Sequence, residues 1–247
     1  SLQRKKILYD SRLGPTEQLV KQLSQLKRPP EVFLSASGVG VYGAHPHRVW
    51  VEGAVPLALA DSGLSLRGFP AVCQEKDFLQ ALAKDWEAQA WQASRFMRTA
   101  LLRIAPILSP QGGILKRLLQ LARWGLLSVL GDGLQWISWM SLRDFCHAVL
   151  FLIETPEAQG AFNLAAPETL SQADSVRLLC RAIRQPLGVP VPSWVIQWAL
   201  GEAGETLVLG GVRTYPQALL RQGFCFEDNT WAGALENALG LGRRFSR

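Results

Sequence analysis

Methionine and tyrosine are scarce in this 247-residue chain: Met97 and Met140 are its only methionines, and there are three tyrosines. The chain opens on Ser1 with no initiator methionine, so a fragment or a processed form is expected. No apolar run approaches the roughly 20 residues that a bilayer span needs. Arg123, Asp132 and Arg143 break the richest region, and no membrane partner is expected. The first residues, SLQRKKILYD, are basic but lack the apolar stretch and small-residue cleavage site of a signal peptide. Cys73, Cys146, Cys180 and Cys225 have no C-x-x-C spacing, which predicts reduced thiols in a cytoplasmic protein and neither a disulfide framework nor a zinc site. There are no internal repeats and no low-complexity tracts.

What is present is enough apolar material, 48% of residues, to fill a substantial core. The net charge of +6 could point to nucleic acid, but its distribution argues otherwise. Basic clusters sit at the termini, Arg4-Lys5-Lys6 and Arg243-Arg244 with Arg247, and the rest is dispersed on helix faces. That pattern reads as solvated surface, and no nucleic-acid partner is expected.

Leu13, Leu19, Val20, Leu23 and Leu26 predict a helix over residues 12–27, with Thr16 capping a turn that begins at Glu17. Pro29-Pro30 ends it, and Val32-Phe33-Leu34 reads as a short strand buried on both faces of a parallel sheet. Residues 44–76, with Pro46, Pro56 and Pro70, read as a long excursion over the active-site face. Phe78, Leu79, Leu82, Trp86 and Ala90 predict a helix over 77–95, and residues 101–104 a strand. Gly112-Gly113 opens a helix to about Trp124 whose free N–H groups could face an anion. Residues 135–139 look extended and 142–153 helical, with Asp144 capping the turns of 145–153; helices follow near 171–184, 193–209, 215–222 and 230–239. The alternation predicts an α/β fold with a C-terminal, mostly helical region.

Gly38, Gly40 and Gly43 match G-x-G-x-x-G, the spacing of a dinucleotide turn. That turn requires a helix right after Gly43, where the sequence supplies Pro46 and then Val49-Trp50-Val51, which favours extended chain. The match is therefore read as accidental. The alternative is a strand ending in a serine-bearing loop, Ser35-Ala36-Ser37, followed by Tyr42-Gly43.

Several segments in order resemble YfcH-like epimerase-family proteins, an atypical branch of the extended short-chain dehydrogenases. They are Asp10-Ser11-Arg12, Ser35-Ala36-Ser37 with Val39-Gly40 and Tyr42-Gly43, Asp85-Trp86-Glu87, Leu102-Arg103 with Gly112-Gly113, and Gly131 with residues 133–139. Further on come Asp144, residues 160–164, Ala166-Pro167-Glu168, Val191-Pro192, Gly201-Glu202, Pro216 and Gly223-Phe224. The resemblance implies a partial Rossmann-like NAD(P)-binding domain over 1–155, an incomplete parallel sheet with helices on both faces, and a helical substrate or lid region over 156–247. It also implies that about the first 70–80 residues of the usual fold, with their glycine-rich pyrophosphate turn, are missing, judged from typical α/β unit sizes. The activity implied is that of an atypical NAD(P)-dependent oxidoreductase or nucleotide-sugar-epimerase-like protein, acting on an unknown small molecule as monomer or homodimer. The rival is a non-catalytic remnant of the fold that serves binding or structure.

By this resemblance hydride transfer would use a tyrosine, a lysine four residues later that lowers its pKa, and a serine on the substrate oxygen. The tyrosine and lysine positions fall near Leu79 and Ala83, so the relay is degenerate. Ser37 and Tyr42 are the catalytic candidates. Ser37 either faces nicotinamide or substrate or satisfies strand-end backbone groups, with Gly38 an alternative occupant of the serine slot. Tyr42 either offers a phenol or packs as a half-buried aromatic. Ser35, Ala36, Ala105, Ile107, Gly112 and Gly113 are cofactor-binding candidates, with plain loop packing the other reading of Ala105 and Ile107. Gln135, Trp139 and Ser141 are substrate candidates. His45 and His47 have no acidic or cysteine partner nearby, so no metal is expected. His147 reads as a packed histidine in an apolar helix, and Trp86, Trp139, Trp194 and Trp198 as core.

Overall fold

A computed structural model of the chain describes residues 2–45, 47–55, 57, 72, 77–200 and 210–241. Helix α1, Leu2–Ser24, begins well before residue 12. Its first turns carry little apolar pattern of their own, and Tyr9 and Leu13 form them by packing against the later helix that bears Phe78 and Leu82. Pro15 lies inside α1 and removes one donor. Thr16 does not cap; its hydroxyl donates to the Arg12 carbonyl at 2.7 Å and accepts from the Trp86 indole at 3.0 Å, tying the helix through the proline to its neighbour.

Strand β1, Val32–Gly38, runs into a 3-10 turn, Val39–Tyr42, and short strand β2, Val49–Trp50. Asp77 starts α2, Phe78–Trp91, by accepting from the Gln80 N–H at 3.0 Å. Then come β3, Arg98–Ile104, β4, Ile107–Leu108, and α3, Gly113–Arg123. The chain continues through β5, Trp136–Ile137, β6, Met140–Ser141, and α4, Leu142–Glu154. Strand β7, Gly160–Leu164, β8, Leu170–Ser171, and α5, Gln172–Ile183, follow. The last elements are α6, Ser193–Leu200, β9, Arg213–Thr214, α7, Gln217–Arg221, and α8, Trp231–Leu239.

The main sheet is parallel with order β1-β3-β7, so β3 is its centre. Helix α2 packs on one face, and α4 gives Ala148 and Leu152 to the other, against Ala100, Leu102 and Phe162. Arg98 at the start of β3 donates to the Leu152, Ile153 and Ala158 carbonyls and so closes the C-terminal end of α4. Pairs β2 with β9 and β4 with β6, both parallel, and β5 with β8, antiparallel, lie beyond the ends of this sheet. A second core, around Trp139, Leu179, Trp231 and Leu235, is built mostly from the C-terminal half, with Leu108 and Leu115 joining it.

One expectation is borne out and several are corrected. Gly43 begins no helix; the chain beyond it is irregular and then extended, as the accidental reading of the glycines requires. Within the excursion of 44–76, the extended chain that Val49-Trp50-Val51 favours is strand β2; Pro46, Pro56, Pro70 and Cys73 lie outside the described residues. Strand β7 was not anticipated, because Gly160 reads as punctuation and leaves too few residues for a periodic signal. Ser141, not Asp144, caps α4, accepting from the Asp144 N–H at 3.1 Å. The Asp144 carboxylate instead accepts from the Glu227 and Asp228 N–H groups. His147 is half exposed, with Nδ1 3.0 Å from Glu227. Trp194 and Trp198 are 70% and 86% exposed, not core. Of the helix expected over 193–209, residues 201–209 lie outside the described residues, as do Arg243, Arg244 and Arg247.

Candidate functional site

In β3, residues 99–103 are all buried, and one of them is an arginine with no exposed surface. A guanidinium in that place must be fully paired, since an unpaired charge in the interior costs several kcal/mol or more. Glu87 of α2 faces it: Arg103 Nε donates to one carboxylate oxygen at 2.9 Å and Nη2 to the other at 2.7 Å. The remaining donors go to the Tyr42 hydroxyl at 3.0 Å and to the Glu52 and Val55 carbonyls at 3.0 and 3.1 Å. Burial opposes the charge, but the Glu87 carboxylate outweighs it and holds the guanidinium's pKa above its ordinary value.

Ser37 stands opposite Arg103 in the parallel register and donates to Glu87 at 2.7 Å. Tyr42 donates to the Asn163 carbonyl oxygen at 2.7 Å. Burial pushes its phenol up, against the lowering influence of Arg103 and Asn163, so it stands protonated at neutral pH. Asn163 passes the chain onward, donating to the Tyr215 carbonyl at 3.0 Å, while its own N–H and that of Ala218 meet Glu52 Oε1. Tyr42 stacks on Trp50 with centroids 5.3 Å apart, and the Arg48 guanidinium lies 4.0 Å over the Trp50 ring. One buried polar network thus locks β1, α2, β3, β7 and the 39–55 loop together at the C-terminal ends of the strands.

Above it the rim is small and bare. Among the described residues, and its chain neighbours aside, no heavy atom lies within 4 Å of a Cβ built on Gly40, and at Gly38 the nearest are 3.9 Å away. Ala36 is exposed, while Ser35 and Ala105 are buried; the Ala105 N–H donates to the Leu164 carbonyl at 3.0 Å. Ile107 is half-buried in β4. Gly112 precedes α3 without a side-chain cap, leaving first-turn N–H groups available, and Gly113 has φ +63°. Leu79 packs in the seam with α1, and Ala83 against the cluster of Val39, Tyr42 and Ala105. The place of a relay lysine is therefore apolar.

The substrate candidates are held elsewhere. The Gln135 amide donates to the Leu130 carbonyl at 3.0 Å, Trp139 is wholly buried edge-on to Trp231, and Ser141 caps α4. Ser141 also lines a cavity of about 490 Å³ with Ser109, Arg143, Cys146 and Asn237. Glu87, Arg103, Asn163 and Glu52 had no role assigned from sequence. The available signal was Arg103 itself, a charge inside the apolar run Leu101-Leu102-Arg103-Ile104.

The described rim fits the nicotinamide end of a dinucleotide, since a flat ring can approach backbone where glycines leave room. No strand, glycine turn and helix unit for a diphosphate occurs among the described residues. A parallel sheet clothed by helices on both faces, with its loops gathered at the strands' C-terminal ends, defines a Rossmann-like α/β protein. Residues 79–165 match the NAD dependent epimerase/dehydratase family and 191–238 a domain of unknown function. An epimerase family protein of Mycobacterium bovis is 34% identical over 232 residues, 94% of this chain and 70% of that one. A chloroplastic epimerase family protein SDR39U1 homolog of Arabidopsis thaliana is 29% identical, over 90% of this chain and 59% of its own length. The crystal structure of human epimerase family protein SDR39U1 with NADPH superposes with a TM-score of 0.82 at 22% identity, covering 96% of this chain and 75% of that one. The chain belongs to the epimerase family, as an atypical short-chain dehydrogenase-like member.

Proposed function

We propose that this protein is an atypical NAD(P)-dependent oxidoreductase or nucleotide-sugar-epimerase-like enzyme that works without a tyrosine and lysine relay. The observation that carries the reading is the bare rim over Gly38 and Gly40, held rigid from below by the pair of Glu87 and Arg103. Ser35, Ala36, Ala105 and Ile107 border the nicotinamide there, and the start of α3 at Gly112 and Gly113 attracts an anionic group. When bound, the dinucleotide supplies hydride exchange. Ser37 approaches the substrate oxygen only by giving up its bond to Glu87, so the carboxylate sets how readily that hydroxyl polarises a carbonyl. Tyr42, closed between Arg103 and Asn163, acts by positioning the rim. Gln135, Trp139 and Ser141 shape the substrate lobe from beneath. A cytoplasmic setting suits the exposed thiols of Cys146 and Cys225.

Fluorescence titration of the purified protein with NADPH and NADH tests this: saturable quenching of tryptophan is expected, and no binding of either overturns it. A second reading, a non-catalytic member that binds without turnover, is favoured by the apolar Ala83 and by the sequestered Tyr42 phenol. Saturable binding with no oxidation of NADPH in the presence of carbonyl substrates and no epimerisation of nucleotide sugars would support it.

A further inference from the structure

Helix α3 and the chain after it leave large apolar groups in water. Trp124 is 80% exposed, and Leu126 is also exposed. Segment 187–191 runs beside them: Gly188 N–H donates to Leu127 O, Val191 N–H to Val129 O, and Leu130 bridges to Val191. This places exposed Leu187 and Val189 next to Trp124 and Leu126. Helix α6 starts two residues beyond Val191 and presents Trp194 and Trp198, one turn apart. Isolated exposed apolar residues need no explanation, but Trp124, Leu126, Leu187 and Val189 lie side by side, and such a contiguous group with a tryptophan in it marks an interaction surface.

The charge carried by the segments that form this surface is basic, with Asp132 and Asp174 only at their borders. Residues 109–131 and 175–200 contain no Asp or Glu; their charged residues are Lys116, Arg117, Arg123, Arg177, Arg181 and Arg184. Among the described residues, only Arg177 of these is balanced, by Asp174 at 3.1 Å. Arg117 and Arg123 flank Leu121 and Trp124 in an open depression along α3. The partner must therefore be anionic and must also receive tryptophan, leucine and valine side chains. Nucleic acid satisfies the charge but gives Leu126 and Val189 nothing to enter. A bilayer of anionic phospholipid satisfies both, with guanidinium groups at the phosphates and indoles at headgroup depth.

We infer that the α3 and 187–198 face docks the protein peripherally onto an anionic phospholipid surface. No spanning segment is needed, and no helix among the described residues is long and apolar enough to cross a membrane. The expectation of no membrane partner rested on the lack of such a segment and does not bear on this mode.

Co-sedimentation of the whole chain with vesicles of phosphatidylcholine, with and without phosphatidylglycerol, tests the inference. Binding only to the anionic vesicles, a blue shift of tryptophan emission, and release by NaCl are expected. Each basic side chain removed should weaken partition about fivefold, so Arg117→Gln with Arg123→Gln loses on the order of twentyfold, and Trp124→Ser abolishes part of the blue shift. These side chains are exposed, and unchanged circular dichroism melting will confirm that the variants fold. Equal binding to neutral vesicles, no binding to either, or undiminished binding by the double variant overturns the inference. So does retention of a single-stranded oligonucleotide with no vesicle binding, which would reassign the face to nucleic acid.

Discussion

The two ends of this molecule solve the problem of a buried interior in opposite ways. The C-terminal core is dry: Leu108, Leu115, Leu127, Val176, Leu179 and Leu235 close around Trp139 and Trp231. The rim of the parallel sheet is polar, with Ser37, Glu87, Arg103, Tyr42, Asn163 and Glu52 bonded in series and nearly all inaccessible. A dry core tolerates rearrangement so long as volume is kept, whereas a satisfied polar network fixes each member's position through its partners. Rigidity therefore sits where the loops that would meet cofactor and substrate begin.

The difference predicts a break first at Arg103. Replacing Arg103 by methionine leaves the Glu87 carboxylate in the interior with the Ser37 hydroxyl but no counter-charge, and the expected loss is about 3–5 kcal/mol in urea unfolding. Adding Glu87→Met should recover part of that loss but not all, since the Tyr42 hydroxyl and the Glu52 and Val55 carbonyls still lack a donor. A double variant no more stable than the single one would show that the ion pair is not the element that matters. In the dry core, Leu179→Ala should cost roughly 2–5 kcal/mol through a cavity. Combined with Glu87→Met, its cost should simply add, because Leu179 and Glu87 share no partner. A coupling above about 0.5 kcal/mol in that cycle would mean that the two cores are not independent.

The same contrast explains what the sequence could reveal. Helices α2, α4, α5 and α8 are legible because their apolar spacing is local, and Asp77 and Thr230 cap where polar residues precede apolar runs. Strand β3 was legible as an apolar run. The network was not, because its bonds join residues 50, 61 and 121 positions apart and no local pattern encodes them. Ser37 and Tyr42 stand out as a serine-bearing loop after a strand, but β1 extends through Ser37 to Gly38 and Tyr42 ends the 3-10 turn, and the local sequence does not show that their hydroxyls turn inward. Trp194 and Trp198 were misread for the converse reason: apolar composition shows that a residue could be buried, and only the fold shows whether anything covers it.

The smallest effect expected concerns the seam between α1 and α2, where a polar contact of Tyr9 is set in largely apolar surroundings. Tyr9 donates to the Asp85 carboxylate at 3.2 Å among Leu13, Phe78 and Leu82. Burial first, and then the neighbouring Asp85 charge, push its phenol from 10.0 up to about 12. Folding thus favours the protonated phenol, so this contact's stabilisation is complete below pH 10 and is lost as pH rises from there toward 12. Stability measured by urea unfolding should fall across that window, and less so in Tyr9→Phe, where the buried Tyr42 phenol leaves a residual decline of the same sign. A spectrophotometric titration should lose its step near 12 in the same variant. If Tyr9→Phe left both the step and the slope unchanged, the phenol would be titrating in water, and the seam would be dry packing like the C-terminal core.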